Sequence, residues 1–311
     1  MIINYNNALD IFKNYVKLQK EGLIIDRVCD EDIQKRIQGM DKKVIHSLEV
    51  VQDGEKVVKE LGFNDSVTEF SKIAFLNHDI GRFSQIRYTG NFTDSELSKT
   101  DLGVKDHGEL GKVELAKGII EQQIPKTRIF DAPIQNIVNA HVSKVGTKDE
   151  LSILSESILK NEDIYNIFKN GDEQTKRKIV SAITQIVQDV DRLDIFHQIL
   201  DDRWTPMKTD QDIDSRVFEM FYKGEYLNMA SLKEQNLWNP NVGELVRLGF
   251  VNQIKLLSVA KVILEQNVIL KLKDKRQNPK VKDAFDYTND LLKEMIAKSE
   301  DGITVERPKE R

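Results

Sequence analysis

Four of the five histidines in this 311-residue chain, together with several aspartates, have the types and order expected of a metal site. In chain order these residues are His46, His78, Asp79, His107, His141, Asp189 and Asp191. Imidazole and carboxylate ligands without thiolates favour Mn, Fe, Co, Ni or Zn over a cysteine-rich structural zinc site, and they also accommodate Mg. A bound ion of this kind lowers the pKa of water and polarises a phosphoryl oxygen. The sequence therefore predicts a centre of one or two divalent ions.

The adjacent residues His78 and Asp79 restrict where the other ligands must come from. Consecutive residues on a helix point about 100° apart, so the two can hold one ion only near a helix end or against a neighbouring helix. We predict His46, on an earlier helix, and Asp191, on a much later one, as further ligands that meet in the core of an α-helical bundle. Asp79 is the natural carboxylate to share if two ions bind. Asp189 replaces Asp191 in an alternative in which the last helix is rotated.

The elements that must position these residues are predicted to be nearly all α-helical. Proline and glycine are scarce, at 6 and 16 residues, and long segments carry apolar residues at helical spacing. No extended alternation of polar and β-branched residues indicates a strand. The predicted helices span residues 6–20, 43–61, 66–78, 107–122, 131–142, 151–160, 173–200, 212–223, 243–270 and 280–298. Ser66 and Glu69 predict a capping box at the start of the third helix.

Two segments lack a helical pattern. Residues 82–106 contain Gly90, Gly103 and several short polar residues, and they follow His78 and Asp79 almost directly. Long loops in compact domains are commonly functional, so this segment is predicted to be an irregular loop that faces the substrate. Residues 201–210 form a second break. We therefore predict a metal-binding core at residues 1–205 and a helical C-terminal extension at residues 206–311 that packs on the core.

The composition argues against several classes of protein. The net charge is −5, and lysine and arginine are spread along the chain, so bulk binding to nucleic acid is not expected. The N-terminus lacks a signal-peptide pattern, and no apolar run is long enough to cross a membrane, so no membrane partner is expected. The single cysteine, Cys29, excludes an internal disulfide and favours a reducing, cytoplasmic location.

The motifs around the candidate ligands resemble those of the HD-domain superfamily of metal-dependent phosphohydrolases. Residues 78–81, His-Asp-Ile-Gly, are similar to the signature tetrapeptide of a large branch of that family. The context of His46 is similar to that of the family's first histidine, and residues 191–193, Asp-Arg-Leu, resemble the last ligand and its neighbours. The resemblance covers roughly residues 40–200 and implies an HD-type helical bundle. It also implies that the ion is held by His46, His78, Asp79 and Asp191.

The resemblance extends to the two middle histidines. Residues 106–111 and the isolated His141 are similar to positions that some members use for a second metal or for phosphate. In a competing interpretation His107 only follows a helix cap at Asp106. Arg82 lies one helical turn after His78, where it could bind phosphate or pair with a carboxylate. We predict that the catalytic residues are Asp79, Arg82, His107 and His141.

The function that the resemblance implies is metal-dependent hydrolysis of a phosphate ester by metal-activated water. The expected substrate is small and phosphorylated, either a nucleotide or a nucleotide-derived signal. The motifs do not distinguish a phosphomonoesterase from a pyrophosphohydrolase or a phosphodiesterase. The alternative is a regulatory HD module that binds a nucleotide or phosphate ligand with little turnover. The complete ligand set favours the enzyme, because a sensor could afford to lose ligands.

Overall fold

The computed structural model of this chain is α-helical, as the sequence predicts. The structure describes residues 4–26, 28–121, 124, 132–142, 158–200, 212–225, 227–254, 256–274 and 278–300. Within these ranges there is no β-strand. A search of the same ranges found no helix with the length and apolar character needed to cross a membrane.

The chain divides into two compact units, Met1–Val190 and Asp191–Arg311. The helices of the first unit are α1 (Tyr5–Ile25), α2 (Asp30–Glu60), α3 (Asp65–Asn77), α4 (Ile80–Thr89), α5 (Asp94–Leu97), α6 (His107–Ile120), α7 (Pro133–Ala140), α8 (Ile158–Asn161), α9 (Ile164–Asn170) and α10 (Glu173–Leu200). Helix α10 continues past Val190, so the units divide inside a helix, whereas the sequence places the boundary after residue 205. The break predicted at 201–210 lies outside the described residues.

The core of the first unit is built from large apolar side chains, of which the helical periodicity identifies all but Phe83. Phe12, Phe70, Phe75 and Phe83 are fully buried, and the rings of Phe12 and Phe83 meet edge to face with centroids 5.5 Å apart. Burial of such side chains contributes about 1.5–3 kcal/mol each. These contacts hold α1, α3 and α4 together and fix the helix ends at which the candidate ligands lie.

Helix α3 has the predicted extent but a different cap from the one expected. Asn64 is the N-cap residue, and its side-chain oxygen accepts a hydrogen bond from the Val67 backbone nitrogen at 3.1 Å. Ser66 donates its hydroxyl to the same Asn64 oxygen, and Glu69 accepts from the backbone nitrogen of Tyr5. The prediction of a capping box was therefore wrong. Asparagine is a strong N-cap residue, and here it precedes the serine.

The prediction of one irregular loop over residues 82–106 was also wrong. Helix α4 extends to Thr89 and ends at Gly90, whose φ of 75° is the left-handed conformation that glycine adopts readily. The short helix α5 follows, and only the residues around it are irregular. Gly90, Gly103 and the serines and threonines made this segment resemble a loop, but Phe83 and Ile86 are buried and stabilise the helix through packing.

The second unit is a separate set of short helices and one long one. After the end of α10 its elements are α11 (Ser215–Tyr222), α12 (Met229–Glu234), α13 (Val242–Leu248), a 3₁₀ helix (Gly249–Gln253), α14 (Leu257–Glu265), α15 (Val268–Asp274) and α16 (Pro279–Glu300). The prediction of a single helix over residues 243–270 is therefore wrong, because the helical segment is divided into several elements. It is interrupted at Gly249–Gln253 and again at Asn267, whose φ of 52° ends a helical run. Of the six apolar residues at helical spacing in this segment, Leu245, Leu248, Ile254, Val259 and Ile263 are buried, whereas Leu257 is only half-buried.

Candidate metal centre

The four histidines and Asp79 meet where several helix ends come together. His46 lies in the middle of α2. His78 is the C-cap residue of α3 and Asp79 is the N-cap residue of α4, so the two lie on either side of a corner. This corner lets adjacent residues face one site, as the sequence argument required. His107 begins α6, and His141 is the C-cap residue of α7.

Asp79 uses its two oxygens to contact two separate pairs of histidines. The first triad is His46, His78 and Asp79. The Nε2 atoms of its two histidines are 3.1 Å apart, and they lie 3.3 Å and 3.7 Å from Asp79 Oδ2. All three side chains are buried, at 4% exposure or less.

The second triad is Asp79, His107 and His141. Its histidine Nε2 atoms are 3.2 Å apart, and they lie 3.3 Å and 3.5 Å from Asp79 Oδ1. Both histidines are buried, at 6% and 8% exposure. Asp79 is thus the one carboxylate common to both triads, which is the arrangement expected of a bridging ligand.

The spacing of these atoms fits divalent ions. Nitrogen and oxygen ligands lie about 2.0–2.2 Å from zinc, so two ligands at 90–110° around one ion are about 3.0–3.5 Å apart. The distances between donor atoms in the two triads are 3.1–3.7 Å. All but the 3.7 Å distance between His78 and Asp79 fall within this range, so each triad has the donor set and close to the spacing needed to hold one ion.

Backbone carbonyls determine which ring nitrogen carries the proton in two of the histidines. His78 Nδ1 is 2.7 Å from the carbonyl oxygen of Phe75, and His141 Nδ1 is 2.6 Å from that of Val138. A carbonyl only accepts hydrogen bonds, so Nδ1 must carry the proton and donate it. In the neutral ring Nε2 then offers its lone pair to the centre, which is the usual way a protein orients a metal-binding histidine.

The charge state of Asp79 suits a metal ligand. Burial alone would raise the pKa of its carboxyl group, but Lys43, His78 and the hydrogen bonds from His107 and His141 hold the pKa well below its usual range. Asp79 is therefore ionised at any ordinary pH. Burial lowers the pKa of His141 and favours its neutral form, which is the form that binds metals.

Lys43 contacts the centre although the sequence analysis did not single it out. It lies one helical turn before His46 on α2, and its Nζ donates to Asp79 Oδ2 at 2.5 Å. The same Nζ is 5.6 Å from the ring centroid of Phe92, a side chain that is 39% exposed. Lysine is common in this chain, so only its three-residue spacing from His46 could have indicated this role.

Arg82 pairs with a carboxylate, which is one of the two roles predicted for it, the other being to bind phosphate. Its Nη1 donates to Asp94 Oδ1 at 2.9 Å and to Gln85 Oε1 at 2.7 Å. Its Nε lies 3.7 Å from Asp79 Oδ1, is buried and has no hydrogen-bond partner. Arg82 is thus beside the second triad with one donor still unsatisfied. Asp94, which the sequence analysis also missed, connects it to His107.

Three glycines allow the helix backbones around the centre to approach closely. A Cβ added to Gly81 would overlap the His107 carbonyl oxygen and lie 2.6 Å from the Gly111 nitrogen. A Cβ added to Gly108 would lie 2.9 Å from the Asn139 and Val138 carbonyl oxygens. The glycines of the two motifs therefore let α4, α6 and α7 pack backbone to backbone, which brings Asp79 to the second pair of histidines.

The last predicted ligand belongs to α10. Asp189 is fully buried and accepts a hydrogen bond from Gln185 Nε2 at 3.0 Å. Gln188 donates to the carbonyl oxygen of His141 at 2.9 Å, so the first-unit part of α10 contacts the end of α7. Asp191 is half-buried and belongs to the second unit. The triads found among the described residues consist of other side chains. The choice between Asp189 and Asp191 as a ligand stays a prediction.

The chain was compared with known proteins by sequence and by fold. No protein-family model, no curated protein and no solved structure matches it. The likeness to HD-domain phosphohydrolases therefore depends on the motifs alone.

Proposed function

We propose that this protein is a metal-dependent phosphohydrolase of the HD type. The observation that carries the proposal is the position of Asp79, whose two oxygens each face one pair of buried histidines. Two such triads around a shared carboxylate have the donor atoms for two divalent ions. The order of the motif residues along the chain supports the same assignment.

The bound ions would supply a water of lowered pKa and polarisation of a phosphoryl oxygen. Asp79 and the four histidines would hold them, with Asp191 or Asp189 as a further ligand. Asp79 serves this role because its pKa is held low and it remains charged when buried. The burial of all five side chains excludes bulk water and strengthens their electrostatic interactions.

Two cationic side chains are placed to receive the negative charge of a phosphate ester. Lys43 and Arg82 approach different oxygens of Asp79, at 2.5 Å and 3.7 Å. Arg82 has an unsatisfied Nε, and an arginine is well suited to bind phosphate oxygens. Their role would be to bind the phosphoryl group and to stabilise the charge that develops on it.

The substrate class that we favour is a nucleotide or a nucleotide-derived signal. The partly exposed ring of Phe92 lies beside Lys43, so an aromatic face adjoins a cation at the edge of the centre. Nucleobases stack on such rings, and a base contact of this kind contributes about 1–3 kcal/mol. A phosphate group near Lys43 and a base on Phe92 would use both features.

The proposal is tested by metal analysis and by phosphate release from a panel of nucleotides and simple phosphate esters, with Mn, Co, Ni, Mg and Zn in turn. We expect metal to co-purify and at least one ester to be hydrolysed. His78→Ala should lose ester hydrolysis and keep only one of the two ions, whereas His197→Ala, which changes the histidine bonded to Gln266, should keep both ions and the activity. No turnover with any metal would contradict the proposal. Nucleotide binding without turnover would support a regulatory module instead.

A further inference from the structure

His107 differs from its neighbours in the group that orients its ring. The Nδ1 atoms of His78 and His141 face carbonyl oxygens three residues earlier in the chain. His107 Nδ1 instead lies 3.1 Å from both carboxylate oxygens of Asp94, thirteen residues earlier in sequence. The ring of His107 is therefore oriented by a charged side chain from another element.

Asp94 is itself held in place. It begins the short helix α5, and its Oδ1 accepts hydrogen bonds from Arg82 Nη1 at 2.9 Å and Gln85 Nε2 at 3.3 Å. Both donors lie on α4, whose first residue follows Asp79. The carboxylate thus links α4, α5 and the first residue of α6 in one network. Its side chain is 35% exposed, so it lies at the boundary between the buried centre and solvent.

We propose that Asp94 is the positioning residue of His107: it holds the Nδ1 proton, directs Nε2 toward Asp79 Oδ1 and makes the imidazole a stronger donor to the second ion. This inference rests on the proposed metal centre. A carboxylate behind a histidine orients the ring and raises its basicity, and removing it typically weakens metal affinity or activity about 10–100-fold.

The same geometry gives Arg82 a double role. Its Nη1 secures Asp94, while its unsatisfied Nε points to the side of Asp79 that faces the second triad. Arg82 contacts the carboxylates of both Asp79 and Asp94. A phosphate that binds Arg82 is therefore held at a fixed position relative to His107. Asp94 therefore couples the position of the second ion to the position of the substrate charge.

The inference is tested with Asp94→Ala and Asp94→Asn in the full chain. Titration with Zn²⁺ or Mn²⁺ should show that Asp94→Ala lowers the affinity for one of the two ions about 10–100-fold and leaves the affinity for the other unchanged. Asp94→Asn should fall between this variant and the wild type, because its amide oxygen still accepts a hydrogen bond but carries no charge. Asp101→Ala is the matched control, since it removes an exposed carboxylate from the same segment.

A second measurement separates positioning from a general loss of structure. In ¹⁵N-histidine-labelled protein, with and without Zn²⁺, Asp94→Ala should change the ring-nitrogen signals of His107 and leave those of His78 unchanged. Unaltered His107 signals, together with unaltered metal affinity, would overturn the inference. If the wild-type chain bound metal and Asp94→Ala behaved as expected but no ester were hydrolysed, only the proposed reaction would be wrong. If the wild type bound no metal, the proposed function would fail, and the metal-free spectra would still decide whether Asp94 orients His107.

Discussion

The two triads share Asp79 but differ in the charge that surrounds them. In the first triad, which contains His46 and His78, the Oδ2 atom of Asp79 accepts a hydrogen bond from Lys43. The second, His107 and His141, has an additional carboxylate behind one histidine, itself paired with an arginine. A cation close to a site weakens its affinity for metal, and an anion behind a ligand strengthens it. Within these residues the second triad is therefore expected to hold an ion at least as well as the first.

The largest effect is expected from the side chain that the triads share. Asp79→Ala removes one ligand from each, so metal content should fall toward zero and phosphate release should be lost. The decrease should exceed the roughly 10–100-fold typical when only a group behind a ligand is removed. Helical circular dichroism should remain largely intact, since one small buried side chain is removed. Wild-type turnover with the metal still bound would refute the mechanism.

The two triads should be separable by removing one histidine from each. His46→Ala and His107→Ala should each reduce the metal stoichiometry from two ions to one per chain, as measured by elemental analysis. Both should reduce turnover strongly, because a two-ion centre acts as a unit. The affinity of the ion retained in each variant, measured by competition with a chelator, then shows which triad binds more tightly. Loss of both ions from either variant would show that the triads do not bind independently.

Lys43 provides the test of the charge difference itself. Lys43→Met keeps much of the side-chain bulk but removes the ammonium that contacts Asp79 Oδ2, so the affinity of the first triad should rise about tenfold, or 1.4 kcal/mol. Turnover should nevertheless fall if Lys43 binds the substrate phosphate. Lys42→Met, at the exposed neighbouring position, should change neither value. Unchanged metal affinity in Lys43→Met would show that the lysine charge does not weaken metal binding by the first triad.

The second triad should also have a characteristic pH dependence. Burial lowers the pKa of His107, but the carboxylates of Asp79 and Asp94 outweigh burial and raise it above its ordinary value. Protons therefore compete with the ion for His107 Nε2 at pH values above about 6.5, and metal should be released from this triad as the pH falls through that region. The measurement is ion content against pH in His46→Ala, which retains only this triad. Release only at clearly lower pH would contradict the expected effect of the two carboxylates.

The smallest effect on the centre is expected from Tyr15, which joins α1 to α4 and α6. Its hydroxyl lies 2.8 Å from Ser84 Oγ and 3.0 Å from Glu114 Oε2. Tyr15→Phe should cost about 1 kcal/mol at neutral pH and leave metal stoichiometry unchanged. Burial and Glu114 raise the pKa of Tyr15 well above 10, so the folded state resists ionisation. Wild-type stability should fall as the pH rises above about 10, and this slope should be smaller in the variant, as measured by urea unfolding.

The sequence predicted the features that local chemistry determines. Helix α3 ends just before His78 and α6 begins at His107, because apolar periodicity and the Asp106 cap are readable from neighbouring residues. Lys43 and Asp94 were missed because their roles arise from contacts that their sequence context does not mark. Lys43 contacts Asp79 across 36 residues, and Asp94 contacts His107 across 13. The interruption at Asn267 was missed for a related reason. The residue type alone does not show that this asparagine adopts a positive φ and ends a helix.

The close approach at Gly81 means that the absence of one side chain determines the distance between the two halves of the centre. A methyl group there would act as a wedge between α4 and α6, because its nearest obstacles are backbone atoms that cannot rotate away. Gly81→Ala would thus separate Asp79 from His107 while every ligand remained present. In a mutational scan, position 81 should be about as intolerant of substitution as the histidines, although glycine offers no side chain to any ion or substrate.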